Sequence, residues 1–101
     1  MRARRRRYNP GMEFDRLPGG SLISRGLADL AAGRETDASL LVLVGSPRLS
    51  RLGISVPTPA PRVEHRLYER LSSDDPDSAH SRYNALIRLL VSFERAAECA
   101  G

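Results

Sequence analysis

His80, Arg82, Tyr83 and Asn84 lie within five consecutive positions. A histidine and an arginine on one helix can move a proton and stabilise a phosphate, so a nuclease centre is the sharpest chemistry these types suggest. A core Tyr83 beside surface Arg82 and His80 explains the same residues without catalysis, and the chain is read as a non-enzyme. Asp77 and His80 stand three apart, the spacing of one carboxylate–histidine ligand pair. A metal needs more ligands, and neither His65 nor a Cys-x-x-Cys supplies them. Asp77 instead suits a helix start, where carboxylates are favoured. No metal and no cofactor are implied.

Other chemistries are excluded by residue type. All sixteen basic residues are arginine, so there is no Walker A lysine, kinase lysine or Schiff-base nucleophile. Gly45-Ser46-Pro47 is no nucleophile elbow, since a proline after the serine removes the backbone donor an oxyanion needs. The single cysteine, Cys99, falls near the end of a helical stretch, where the dipole disfavours a thiolate. In the patch His80, Arg82, Tyr83 and Asn84 the chain resembles the HEPN ribonucleases, which pair an arginine and a histidine on a helical hairpin. That resemblance covers this patch alone and would imply RNA cleavage. The family's short Arg-to-His spacing is not met, because Arg70 stands ten positions before His80.

Charge points the same way. Of the formal +4, the cluster Arg2, Arg4, Arg5, Arg6 and Arg7 carries more than the whole, leaving eleven basic against twelve acidic residues after Tyr8. The arm could bind nucleic-acid phosphates, and this is the alternative function. Met12 is an equally good initiator, in which case residues 1–11 would be an upstream extension. An all-arginine usage also arises from a GC-rich coding sequence. No apolar stretch follows the arginines, which argues against an export signal. Leu40 to Val44, the longest aliphatic run, is far too short to span a bilayer. A cytoplasmic protein of bacterial type, in a reducing compartment, is expected.

The elements that must position these residues follow from periodicity and punctuation. Residues 1–20 hold Pro10-Gly11 and Pro18-Gly19-Gly20 and read as a flexible basic tail, with one helical domain over 21–101. Ser21 can cap a helix whose face is Ile23, Leu27, Leu30 and Ala31, ending at Gly33. Thr36 or Asp37 caps the run Leu40-Leu41-Val42-Leu43-Val44. This run reads as a buried helix, with the alternative that 40–44 is a strand paired to Ile54-Ser55-Val56 in an α+β fold. Ser46-Pro47 reads as N-cap and N1 of a short turn that closes at Gly53. Together with the preceding helix it has the coarse order of a helix-turn-helix, with Arg48, Ser50 and Arg51 near phosphate, yet it is too short and too proline-led to read bases.

Pro57, Pro59 and Pro61 make a stiff connector between two helical halves. Val63, Leu67 and Leu71 then lie four apart on a helix ending near Ser72, with Tyr68 alongside. An acidic turn, Ser73 to Asp77, leads to an amphipathic helix from Asp77 to Ala100. Its apolar positions Tyr83, Leu86, Leu90, Phe93 and Ala97 alternate at spacings of three and four. The fold class predicted is all-α, a small bundle of four to five helices. Ile87, Leu89 and Val91 widen that stripe beyond one seam, and a wide stripe wants two neighbours. The expected function is therefore a small protein–protein interaction module, of the size of antitoxins and accessory subunits. It would bind itself or a protein partner, with no membrane, through Tyr83, Leu86, Leu90 and Phe93.

Overall fold

In chain order the computed structural model has α1 (Gly20–Ala31), α2 (Asp37–Val44), α3 (Ser46–Arg51), α4 (Val63–Asp74) and α5 (Ala79–Ala100). It describes residues 16–59 and 61–100, and among these there is no strand. The arginines at positions 2 and 4–7 lie outside the described residues. The all-α class holds, and residues 40–44 are helical.

Helix α2 is the hub. Ala38, Ser39, Leu40, Leu41 and Val42 are all buried, and Leu43 and Val44 are half-buried. A short helix that is apolar all round can exist only where neighbours cover every side. Here α1, α3, α4 and α5 all pack against it. This burial, together with a strong start and stop, selects helix over strand for an ambiguous run. At the start, the Thr36 hydroxyl accepts from Ser39 N at 3.1 Å while Ser39 Oγ accepts from Thr36 N at 2.8 Å, a reciprocal capping box.

The α1–α2 loop is closed by side chains as well as backbone. Arg34 N donates to Asp29 O at 2.8 Å and Gly33 N to Leu30 O at 3.1 Å, the two bonds of a Schellman end, with Gly33 at φ +74°. The predicted stop at Gly33 is therefore observed. Below it, the Asp29 carboxylate accepts from Thr36 Oγ1 at 2.6 Å and from Arg34 Nε and Nη2 at 3.1 and 2.9 Å. Thr36→Ala removes the cap and one donor to Asp29 together. It is expected to cost about 2 kcal/mol in urea titrations, with Thr36→Ser close to wild type. A loss within a few tenths of a kcal/mol would show that the box does not hold α2 in register.

Two boundaries move. Helix α1 starts at Gly20 behind Gly19 rather than at a Ser21 cap, and Leu17 packs against the core, so the fold begins before residue 21. The face that α1 buries is Gly20, Ile23, Gly26 and Asp29, leaving Leu27 and Leu30 half-buried and Ala31 exposed. The cause is Gly26. A Cβ there would stand 2.4 Å from the Ala38 carbonyl oxygen and 2.5 Å from Val42 Cγ2, so the helices touch backbone to backbone at that point.

Helix α3 starts one residue before the expected proline-led turn, with Gly45 as N-cap. It ends in a second Schellman pair, Ile54 N to Leu49 O and Gly53 N to Ser50 O, both 3.0 Å, with Gly53 at φ +94°. The connector after it joins halves that share one core. Ile23, Leu41, Leu49, Leu67, Leu71, Leu90 and Phe93 belong to a single buried cluster. Helix α4 buries Val63, Leu67 and Leu71 as the spacing predicts and runs two residues past Ser72. Helix α5 starts at Ala79, leaving Asp77 in the preceding turn.

Candidate functional site

The α4–α5 hairpin carries the residues singled out from sequence, and the structure divides them into core, rim and exposed groups. Leu90 and Phe93 are 4% and 0% exposed and lie in the chain's own core. They are thus corrected from partner-binding to core residues. The face of α5 expected to need a second protein is occupied at its centre by the rest of this chain. Tyr83 and Leu86 are partly buried at its edge. The Tyr83 ring meets Tyr68 of α4 edge-on, with centroids 5.7 Å apart at 67°. Burial, and secondarily the charge of Glu64, raises the Tyr83 phenol above its ordinary value. Tyr68 and Leu89 remain 37% and 41% exposed, the large apolar side chains most open to solvent among the described residues.

Beside the aromatic pair lies a network of arginines and carboxylates that fastens the start of α2 to the hairpin. Arg66 donates to both oxygens of Glu35 at 2.8 Å. Arg70 donates to Asp37 at 2.9 Å. Arg82 donates to Asp74 at 2.8 Å and approaches Asp37 at 3.8 Å. Hydrogen bonds from Arg66 hold the Glu35 carboxyl below its ordinary range. The groups are substantially exposed, so solvent screening keeps each pair weak. An open cleft of about 610 Å³ runs between Glu35, Arg66, Tyr68 and Ser73. Its arginines are already matched to carboxylates, which leaves little net positive charge to attract a phosphate.

The same network engages one residue of the nuclease patch, Arg82. Arg82 is drawn to Asp74 and Asp37, His80 is exposed with its Nε2 3.2 Å from Asn84 Nδ2, and Tyr83 turns inward to Tyr68. Arg70, ten positions before His80, is bonded to Asp37. Asp77 belongs to the turn, where its N–H donates to Asp75 Oδ1 at 3.2 Å. His65 on α4 pairs with Glu69 at 3.2 Å. Among the described residues no group of three or more His, Cys, Asp or Glu is placed to hold a metal ion. In the helix-turn-helix segment Arg48 is turned back onto α5, donating to Glu98 at 2.9 Å, while Ser50 and Arg51 are exposed. Cys99 is exposed.

Two carboxylates escaped the sequence reading. Asp29 is 5% exposed and Glu94 is 5% exposed. Each had a signal: Asp29 follows Gly26 by three on the buried side of α1, and Glu94 stands four after Leu90 and three before Ala97 on the apolar side of α5. They are perturbed in opposite directions. The bond from Thr36, then that from Arg34, holds Asp29 below the ordinary 3.8, whereas burial raises Glu94 above 4.5 against the attraction of Arg48. For Asp29 the folded state favours the charged form. Its stabilisation is complete above 3.8 and is lost as pH falls through the depressed folded value. Asp29→Asn is therefore expected to be less stable than wild type at neutral pH, with the gap closing in acid. A gap constant with pH would show that the carboxylate charge contributes nothing.

Comparison with protein-family models, with curated proteins and with solved structures found no match. Among the described residues no helix is long and apolar enough to cross a membrane.

Proposed function

We propose that the chain is a small helical interaction module, binding itself or a protein partner through the outer surface of the α4–α5 hairpin. The observation that carries this reading is the placement of the two exposed large apolar side chains, Tyr68 and Leu89, both on that hairpin. Burying a leucine fully gains about 2 kcal/mol, so such a position is a natural anchor for a docking surface. Tyr83 and Leu86, on the same hairpin, are half-buried, while Leu90 and Phe93 lie in the core. The neutralised arginine network at one side fits a polar rim around an apolar centre.

Leu89→Asp is the test, because position 89 is open to solvent and the substitution leaves the core untouched. Light scattering at high micromolar concentration, with pull-down from the native host, should show wild type in a complex and the variant released from it. A wild-type monomer that captures nothing would sink the proposal, as would a complex indifferent to both Leu89→Asp and Tyr68→Asp.

A further inference from the structure

The outward face of α5 carries a pattern that the core does not use. Ala85, Leu89 and Ser92 are exposed and Ala96 is half-buried, and their spacings of four, three and four make a second heptad seam beside the buried one. Leu89, 41% exposed, is its one large apolar side chain. The backbone beneath it is braced, because Gly19 lies so close that a Cβ there would stand 2.8 Å from the Leu89 carbonyl oxygen. An open leucine on a fixed backbone leaves little to reorganise on binding.

Charge decides what fits that face. Its outer edge is formed by Arg88 and Arg95, both exposed and one heptad apart, which is about 10.5 Å along the helix. Neither meets a carboxylate among the described residues, whereas Arg34, Arg48, Arg66, Arg70 and Arg82 all do. A second copy cannot answer them through the same face, because of the two carboxylates on α5 Glu94 is buried and Glu98 is held by Arg48 at 2.9 Å. Antiparallel self-pairing would set arginine against arginine. Carboxylates at heptad spacing on a different helix match the separation of Arg88 and Arg95, and an apolar stripe beside them covers Leu89, which a row of phosphates does not. We propose that the outer face of α5 docks an amphipathic helix of an acidic partner protein, its apolar stripe on Leu89 and its carboxylates on Arg88 and Arg95. This rests on the hairpin being a docking surface and names the chemistry of what docks there.

The probe is a labelled three-heptad peptide with leucine at its seam positions and glutamate at the flanking ones, and its twin carries lysine in place of glutamate. Fluorescence anisotropy with the full chain at low salt should show the glutamate peptide binding about tenfold tighter than the twin, an advantage that shrinks as salt screens it. Arg88→Gln combined with Arg95→Gln should weaken the glutamate peptide about fivefold and leave the twin no weaker. Leu89→Asp should weaken it about tenfold or more. All three positions are exposed, so circular dichroism melts should stay at the wild-type temperature. The proposal is overturned if the two peptides bind alike, if the arginine double variant binds the glutamate peptide as wild type does, or if duplex DNA or RNA binds these arginines more tightly than the peptide. A complex of identical copies that Leu89→Asp dissolves would also overturn it, yet would leave the docking surface standing. Indifference of every complex to Leu89→Asp and Tyr68→Asp would remove the docking surface itself.

Discussion

Gly26→Ala should cost about 2–4 kcal/mol, although the same change in an open helix would be expected to stabilise by about 0.5–1 kcal/mol. Propensity and packing predict opposite signs, so the sign alone decides between them. The added methyl would meet the Ala38 carbonyl oxygen at 2.4 Å and Val42 Cγ2 at 2.5 Å. A backbone oxygen in a capped helix cannot swing aside as a side-chain tip can, so α1 must move away from α2. That separation loosens contacts at Ile23 and Val42 together. Gly26→Val should fail to fold, since total stability is on the order of 5–15 kcal/mol. Combining Gly26→Ala with Val42→Ala removes the second clash and leaves the first, so rescue should be partial. An alanine variant as stable as wild type in thermal melts would show that the helices do not cross at this glycine.

The second large effect belongs to Leu41. Its side chain is completely buried in the helix that every other helix touches, so truncation opens a cavity where collapse from any one side is resisted by the others. Leu41→Ala is expected to destabilise by about 3–5 kcal/mol. For a domain of this size that lowers the melting temperature by about 12 °C or more. Leu43, two positions on and half-buried, is the internal comparison, and its alanine variant should lose about 1 kcal/mol. Equal losses at the two sites would mean that α2 is not the centre of the core.

These two residues bear on function because they lie far from Tyr68 and Leu89 in chemical role. A variant at position 89 can change association without changing stability, whereas variants at 26 and 41 change both through the amount of folded protein. The same reasoning removes Leu90 and Phe93 from any list of surface probes. Truncating them would unfold the hairpin and imitate the loss of a partner.

Residues that interact with near neighbours in the chain could be read without the fold. The spacing of Tyr83, Leu86, Leu90, Phe93 and Ala97, the stops at Gly33 and Gly53, and the Thr36 cap all depend on dihedral preference and on contacts within a turn or two. They came out as helices and ends accordingly. The run Leu40 to Val44 was legible as buried but not as helical, because a short apolar run satisfies either geometry until neighbours surround it. Tertiary structure decided the remainder. It turned α1 onto Gly26, since a glycine that looks like a weak point in a helix becomes the point of closest approach once a second backbone arrives. It spent Leu90 and Phe93 on the chain's own core, drew Arg82 onto Asp74 and Asp37, and buried Glu94 against Gly45. Which face is covered, which charges meet and which carboxylate loses its water depend on distances between elements far apart in sequence. Local periodicity carries no measure of those distances.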